Sequence, residues 1–237
     1  MFLRDLSLKI RRRETPFYDR LYQIAKSIRS INMPVIKPVH FLLYWERELR
    51  LSSWHSLKQF LYYEPLFKSR CEKVGKGLKL FVGIPQIVGD LRLIVGNNVT
   101  LHGVSTFSGV KIFDKPTLTI GDNTHLGYQV GITVGCDIQI GSNVLIGNRV
   151  GIFSYDLHPL DPAERIANKP APKESSKPIL IEDNVWIASN SVILKGVTIG
   201  RGSVVANSSV VTRNVPPHVV VAGNPARIVK DLDEAVS

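Results

Sequence analysis

Cysteine, methionine, tryptophan and long apolar runs are scarce in this chain. Two cysteines in 237 residues, Cys71 and Cys136, build neither a disulfide framework nor, alone, a zinc site. They suit a reducing, cytoplasmic setting. No stretch approaches 18 unbroken apolar residues, so no membrane-spanning helix is predicted. Charges begin at Arg4 and Asp5 with no apolar segment behind them, so no cleaved secretory signal is predicted either. Acid is short in one place only. Residues 1–80 hold 17 Lys and Arg against 7 Asp and Glu, whereas residues 81–237 hold 13 of each. The whole net charge of +10 therefore lies in the first third and marks a boundary near residue 80. With 44% hydrophobic residues the chain has ample material for a core, which excludes a disordered chain.

What is present is a repeat. From Ile181 the chain reads IEDNVW, IASNSV, ILKGVT, IGRGSV, VANSSV, VTRNVP. The first positions, Ile181, Ile187, Ile193, Ile199, Val205 and Val211, are all β-branched. The fifth, Val185, Ser191, Val197, Ser203, Ser209 and Val215, are small or β-branched. A period of six fits neither a 3.6-residue helix nor a two-residue strand alternation. It fits very short strands joined by sharp corners, where Gly and Asn tolerate left-handed backbone angles. Three such strands make a triangular coil, and coils stack about 4.8 Å apart like a parallel sheet. The frame recurs upstream at Val95, Leu101 and Phe107, then Ile120, Leu126 and Ile132, then Ile140, Ile146 and Ile152. Residues 108–119 interrupt it modestly. Residues 153–180 interrupt it strongly, with prolines at 159, 162, 170, 172 and 178. A long loop of this kind is usually functional or disordered.

The frame, the segment NVWIASNSVILKGVTIGRGSVVANSSVVTRNVPP and the ending VVAGNPARIV together resemble the hexapeptide-repeat acyltransferases, in the branch with maltose, galactoside and exopolysaccharide O-acetyltransferases. The resemblance covers residues 81–230. It implies a mainly β fold, a left-handed parallel β-helix, assembled as a homotrimer that transfers acetyl groups from acetyl-CoA. On this reading residues 1–80 are a helical extension, 81–230 the catalytic domain with an inserted loop, and 231–237 a tail.

His158, in SYDLHPLDPAER, is the candidate base. Acyl transfer from a thioester needs a group that takes a proton from the acceptor hydroxyl, and imidazole suits neutral pH. A histidine followed by Pro-Leu-Asp-Pro resembles the family's catalytic site. Asp156 or a backbone carbonyl is expected to hold its second ring nitrogen. Negative charge on the thioester oxygen needs donors; where some relatives use an asparagine, Tyr128 and Gln129 stand here, as substitutes or as ordinary corner residues. By resemblance Ser189 and Asn207 line the pantetheine groove, Thr212 and Arg213 follow, and Arg227 and Lys230 approach the phosphates of CoA. His102 and His125 are expected to point outward, and no metal site is expected.

The basic first third reads as helices. Phe17, Leu21, Ile24, Ile28 and Ile31 recur at helical spacing with Arg20, Lys26 and Arg29 opposite. VHFLLYWERELR and WHSLKQFLYYEPLF follow, the latter ending at Pro65, and KIRRR lies ahead of the first helix. Two roles compete: a cap over the open end of the β-helix, or a module for an anionic membrane surface. No nucleic-acid motif is present. The function implied is O-acetylation of a sugar or polysaccharide precursor, free or lipid-linked. The alternatives are N-acetylation of an amino sugar or nucleotide sugar, and a non-catalytic scaffold.

Overall fold

The computed structural model describes residues 2–30 and 32–233. Ile31 and the end of the expected C-terminal tail lie outside the described residues. The chain divides into two compact units, Met1–Ser52 and Ser53–Ser237.

The first unit is helical. Helix α1 (Phe2–Arg12) takes in most of the KIRRR run, which the sequence reading had placed ahead of any helix. Its apolar face, carrying Leu6 and Ile10, explains why a basic stretch becomes helical. Helix α2 (Pro16–Arg29) starts where its local chemistry demands: Thr15 accepts a hydrogen bond from the Tyr18 amide at 3.4 Å, and Pro16 occupies the first turn, where a missing N–H costs nothing. Helix α3 (Lys37–Lys58) spans the division.

In the second unit α3 passes into a π turn, Gln59–Tyr63, that runs into helix α4 (Glu64–Arg70). Pro65 therefore does not end the helical stretch. The Glu64 amide bonds back five residues to the Gln59 carbonyl, and the widened turn makes room for the proline ring. Phe67 on α4 is fully buried against the first coil, with Tyr63 and Cys71 beside it, so these residues close the end of the core. Burial pushes the Cys71 thiol up to about 12, which makes it an inert packing group.

Beyond α4 the chain winds about seven times around a three-faced prism. Face A stacks Lys73–Val74, Arg92–Val95, Thr117–Ile120, Ile138–Ile140, Ile179–Ile181 and Thr198–Ile199, with Val215 bridged on at the end. Face B runs from Lys79–Phe81 to Val219–Gly223, and face C from Gln86–Val88 to Val210–Val211. Strands at Lys73–Val74 and Lys79–Phe81 place the first coil upstream of the point where the hexad frame becomes visible. All pairings between coils are parallel. The first-position side chains lie one above another: Ile120, Ile140, Ile181 and Ile199 on face A, Leu126, Ile146, Ile187 and Val205 on face B, Phe107, Ile132, Ile152, Ile193 and Val211 on face C. Every one is buried.

Corners carry the conformational cost. Asn98, Asn123, Asn143 and Asn184 all have φ between 54° and 61°, the left-handed region asparagine tolerates. The first three form a side-chain ladder, with the Asn98 amide donating to Asn123 at 3.1 Å and Asn123 to Asn143 at 3.2 Å. Beside it, the Asp122 carboxylate accepts from the Asn97 backbone N–H at 2.6 Å. That bond, then the Asn97 side-chain amide, holds the carboxyl below its ordinary value of 3.8. A carboxyl depressed on folding stabilises the native state above the unfolded value and loses that contribution as pH falls through the folded one. Asp122→Ala is therefore expected to lower the urea midpoint at neutral pH, with the deficit shrinking below pH 3.8. A deficit that does not change with pH would show that the charge has no part in it.

Candidate active site at the root of the long loop

After strand Gly151–Phe153 the chain leaves the corner between faces C and A for residues 154–178. Hydrogen bonds pin both ends of this excursion. The Ser154 hydroxyl, fully buried, lies 2.8 Å from the Cys136 carbonyl and accepts from the Gly135 N–H at 2.9 Å. On the return, the Ser176 hydroxyl donates to the Ser154 carbonyl at 2.9 Å. Tyr155, buried edge-on against Phe113 at 5.3 Å, donates to the Ala171 carbonyl. Burial, and then the neighbouring Asp156 charge, raise the pKa of its hydroxyl, which keeps it a donor. Gly135 is required beneath: a Cβ there would stand 2.6 Å from the Tyr155 Cβ and 2.7 Å from the Ser176 hydroxyl.

The loop then builds a wall. Asp161 caps helix α5 (Pro162–Ile166) by accepting from the Ala163 N–H at 2.8 Å, and Arg165 reaches back to the carbonyls of Pro159 and Leu160. The loop segment is thereby tied to α5, and Asp156, His158, Pro159 and Leu160 bound a cavity of about 460 Å³ with Ala171, Ser175 and Lys195. His158 lines this cavity with its ring exposed, and among the described residues it makes no side-chain hydrogen bond. Asp156 also lines it, but its carboxylate is held by Lys195, one coil further on, rather than by the His158 ring. The Ser175 hydroxyl, buried in the same wall, has no protein partner among the described residues.

Lys195 was not visible as a site residue in the sequence. It occupies a corner of ILKGVT, and only the stacking of coils sets it opposite Asp156. Its side chain is 28% exposed and that of Asp156 43%, so the pair adds at most about 1 kcal/mol to stability. Lys195→Met is expected to leave the melting temperature nearly unchanged and to raise the acceptor KM about tenfold, because the freed carboxylate no longer holds the cavity rim. An unchanged KM would make the pair peripheral.

Most of the remaining predicted residues fall into two groups across face C. Ser189 and Asn207 sit at successive corners between faces B and C, as do Tyr128 and Gln129 two coils below Ser189. The Ser189 hydroxyl accepts from the Asn148 N–H at 3.1 Å, and Asn207 accepts from the Ser208 hydroxyl at 2.7 Å. The Tyr128 N–H donates to Asn148 at 2.8 Å, and its ring meets His102 edge-on at 4.9 Å. Thr212 and Arg213 lie exposed at the opposite edge of face C, the edge from which the His158 loop departs. The two edges are separated by strands of two to four residues, about 7–13 Å. Arg227 and Lys230 lie in the closing strand Ala226–Asp231, which turns back antiparallel on Val219–Gly223. His125 is exposed on face B and His102 half-buried beside it. Among the described residues no group of three or more His, Cys, Asp or Glu could hold a metal ion.

A protein-family model, Bacterial transferase hexapeptide (six repeats), matches residues 178–213. A Schizosaccharomyces pombe protein named as an acetyltransferase is 32% identical over 183 residues, covering 73% of this chain and 86% of its own. This chain belongs to the hexapeptide-repeat acetyltransferase family. A Saccharomyces cerevisiae protein named as an acetyltransferase is 40% identical over 115 residues, 48% of this chain, and the match spans only 56% of that relative. Among solved structures, a galactoside acetyltransferase in complex with coenzyme A aligns with a TM-score of 0.51 and 29% identity, over 73% of this chain and 70% of its own. Family membership accounts for the coil architecture and the 178–213 segment.

Proposed function

We propose that this chain transfers an acetyl group from acetyl-CoA to a hydroxyl of a sugar or polysaccharide precursor, with His158 as general base. The observation that carries the reading is the exposed His158 ring in a walled cavity at the prism flank, with its loop pinned at both ends. The imidazole takes the proton of the acceptor hydroxyl as its oxygen attacks the thioester carbonyl. The tetrahedral intermediate collapses, the C–S bond breaks, and the imidazolium returns its proton to the leaving thiolate, with no covalent enzyme intermediate. Asp156 shapes the cavity through Lys195, and Tyr128 and Gln129 are the candidates for acceptor contact. The pantetheine arm lies along Ser189 and Asn207, with Thr212, Arg213, Arg227 and Lys230 toward the phosphates.

A homotrimer supports the same chemistry. The two groups of residues lie on opposite edges of face C, and a neighbouring protomer is what would complete each set. Face B offers an outward ladder in register, His125, Leu145, Trp186, Val204 and Val220, with Leu145 and Trp186 about half exposed. Trp186→Asp is expected to give monomers in sedimentation and to lower turnover about tenfold or more, as loss of an aromatic anchor does at interfaces. A trimer that survives with full activity would remove face B from the interface.

The deciding experiment is release of CoA thiol from acetyl-CoA with a panel of saccharides. Turnover with hydroxyl acceptors is the expected result. Turnover confined to amino sugars would replace O-transfer with N-transfer, and binding of CoA without turnover on any acceptor would leave a scaffold.

A further inference from the structure

The first unit carries an apolar surface that its own fold does not use. Helix α1 sets Leu6 and Ile10 toward α2, where they share a groove with Tyr22 and Ala25. The other stripe of α2, Phe17, Ile24 and Ile28, is 66%, 51% and 63% exposed, and α2 has no buried residue. Lys26 and Arg29 line the groove against α1, and Arg20 is exposed on the other side of the helix. Helix α3 is likewise without a buried residue, and between Val39 and Trp45 its apolar side chains point all round, each at least half exposed. A helix apolar on every side is not stable in water without something to cover it. Residues 1–52 also hold 11 Lys and Arg against 5 Asp and Glu.

We propose that residues 2–52 dock on an anionic phospholipid bilayer surface, with Phe17, Ile24 and Ile28 of α2 and the Phe41–Trp45 segment of α3 entering the interface and long basic side chains of the unit reaching the headgroup phosphates. Charge complementarity selects this occupant. A second copy of the unit would bring the same positive charge. A nucleic acid would satisfy the arginines and leave the aliphatic and aromatic stripes in water. A bilayer surface satisfies both at once, since long basic side chains reach the phosphates while apolar ones enter the acyl boundary. No helix among the described residues is long and apolar enough to cross a membrane, so the unit lies on the surface. The cap role weighed from the sequence falls to Tyr63, Phe67 and Cys71, outside this unit.

The inference is independent of the acetyl-transfer reading. Flotation of the full chain with vesicles tests it, comparing mixed phosphatidylglycerol and phosphatidylcholine with phosphatidylcholine alone. Binding at least about tenfold tighter to the mixed vesicles is expected, weakening as salt is raised. The double variant Ile24→Glu, Ile28→Glu alters only exposed positions and is expected to lose about tenfold or more of that binding. Its acetylation of soluble acceptors is expected to be unchanged, which separates failure of this proposal from failure of the enzymatic one. Equal binding to both vesicle types, or none, overturns it. So does lipid-free self-association that the double variant abolishes, which would make a second copy the occupant.

Discussion

Replacing His158 with alanine is expected to lower kcat about 100-fold or more while KM for acetyl-CoA and the melting temperature stay where they are. The expectation on stability follows from the structure: the ring is exposed and, among the described residues, forms no side-chain hydrogen bond, so its removal opens no cavity and strands no partner. The expectation on rate follows from its role. A general base contributes only as the proton moves, so its loss appears in kcat and kcat/KM together and not in the affinity for the acyl donor. Lys195→Met serves as the contrast. It perturbs the rim of the same cavity without touching the reacting proton, so its effect is expected in acceptor KM. Unchanged turnover in His158→Ala would end the account in which this loop is catalytic.

Phe107→Ala is expected to be the most damaging single truncation for stability, at about 3–5 kcal/mol by urea denaturation. Phe107 is fully buried near the N-terminal end of face C, in register between Ile87 and Ile132. Three walls of a narrow prism surround it, each held by hydrogen bonds to the coils on either side, so the space left by the ring cannot collapse. Coils contact only their neighbours, so the loss is expected to be local first. Hydrogen exchange should rise in the coils from Lys73 to His102 before it rises beyond Ile179. Val88→Ala, on the outward side of the adjacent strand and 39% exposed, should cost under about 0.5 kcal/mol. Equal costs at the two positions would contradict the inward assignment of the hexad frame.

That assignment was legible because each hexad repeats one local geometry. A β-branched residue every sixth position, with Asn or Gly at the turn between, states which side chain points inward without reference to any other coil. The same logic found the frame again upstream at Val95, Ile120 and Ile140. It lost resolution in the first coil, where KVGKGLKLFVGIPQIV keeps the strands and blurs the frame, and at Pro65, where a π turn absorbs what would otherwise stop a helix. The long loop was legible as an excursion from its prolines and charges, and the proposal of His158 as its base comes from the family motif around it. The anchors at Ser154, Tyr155 and Ser176 were not, because they meet only when the two ends of the loop return to one corner.

What the amino-acid sequence determined by itself was therefore the prism: its period, its inward residues, its corners, the place where it is interrupted and the charge imbalance that sets the first third apart. What only the tertiary structure decided was who stands beside whom across coils. It put the Asp156 carboxylate on Lys195, closed the core with Phe67, and left the apolar stripes of α2 and α3 uncovered. The reason is physical. Inward or outward is a property of one residue and its neighbours in the chain, whereas a contact between coils depends on how many residues intervene and how they fold back, and a loop of 25 residues erases that count.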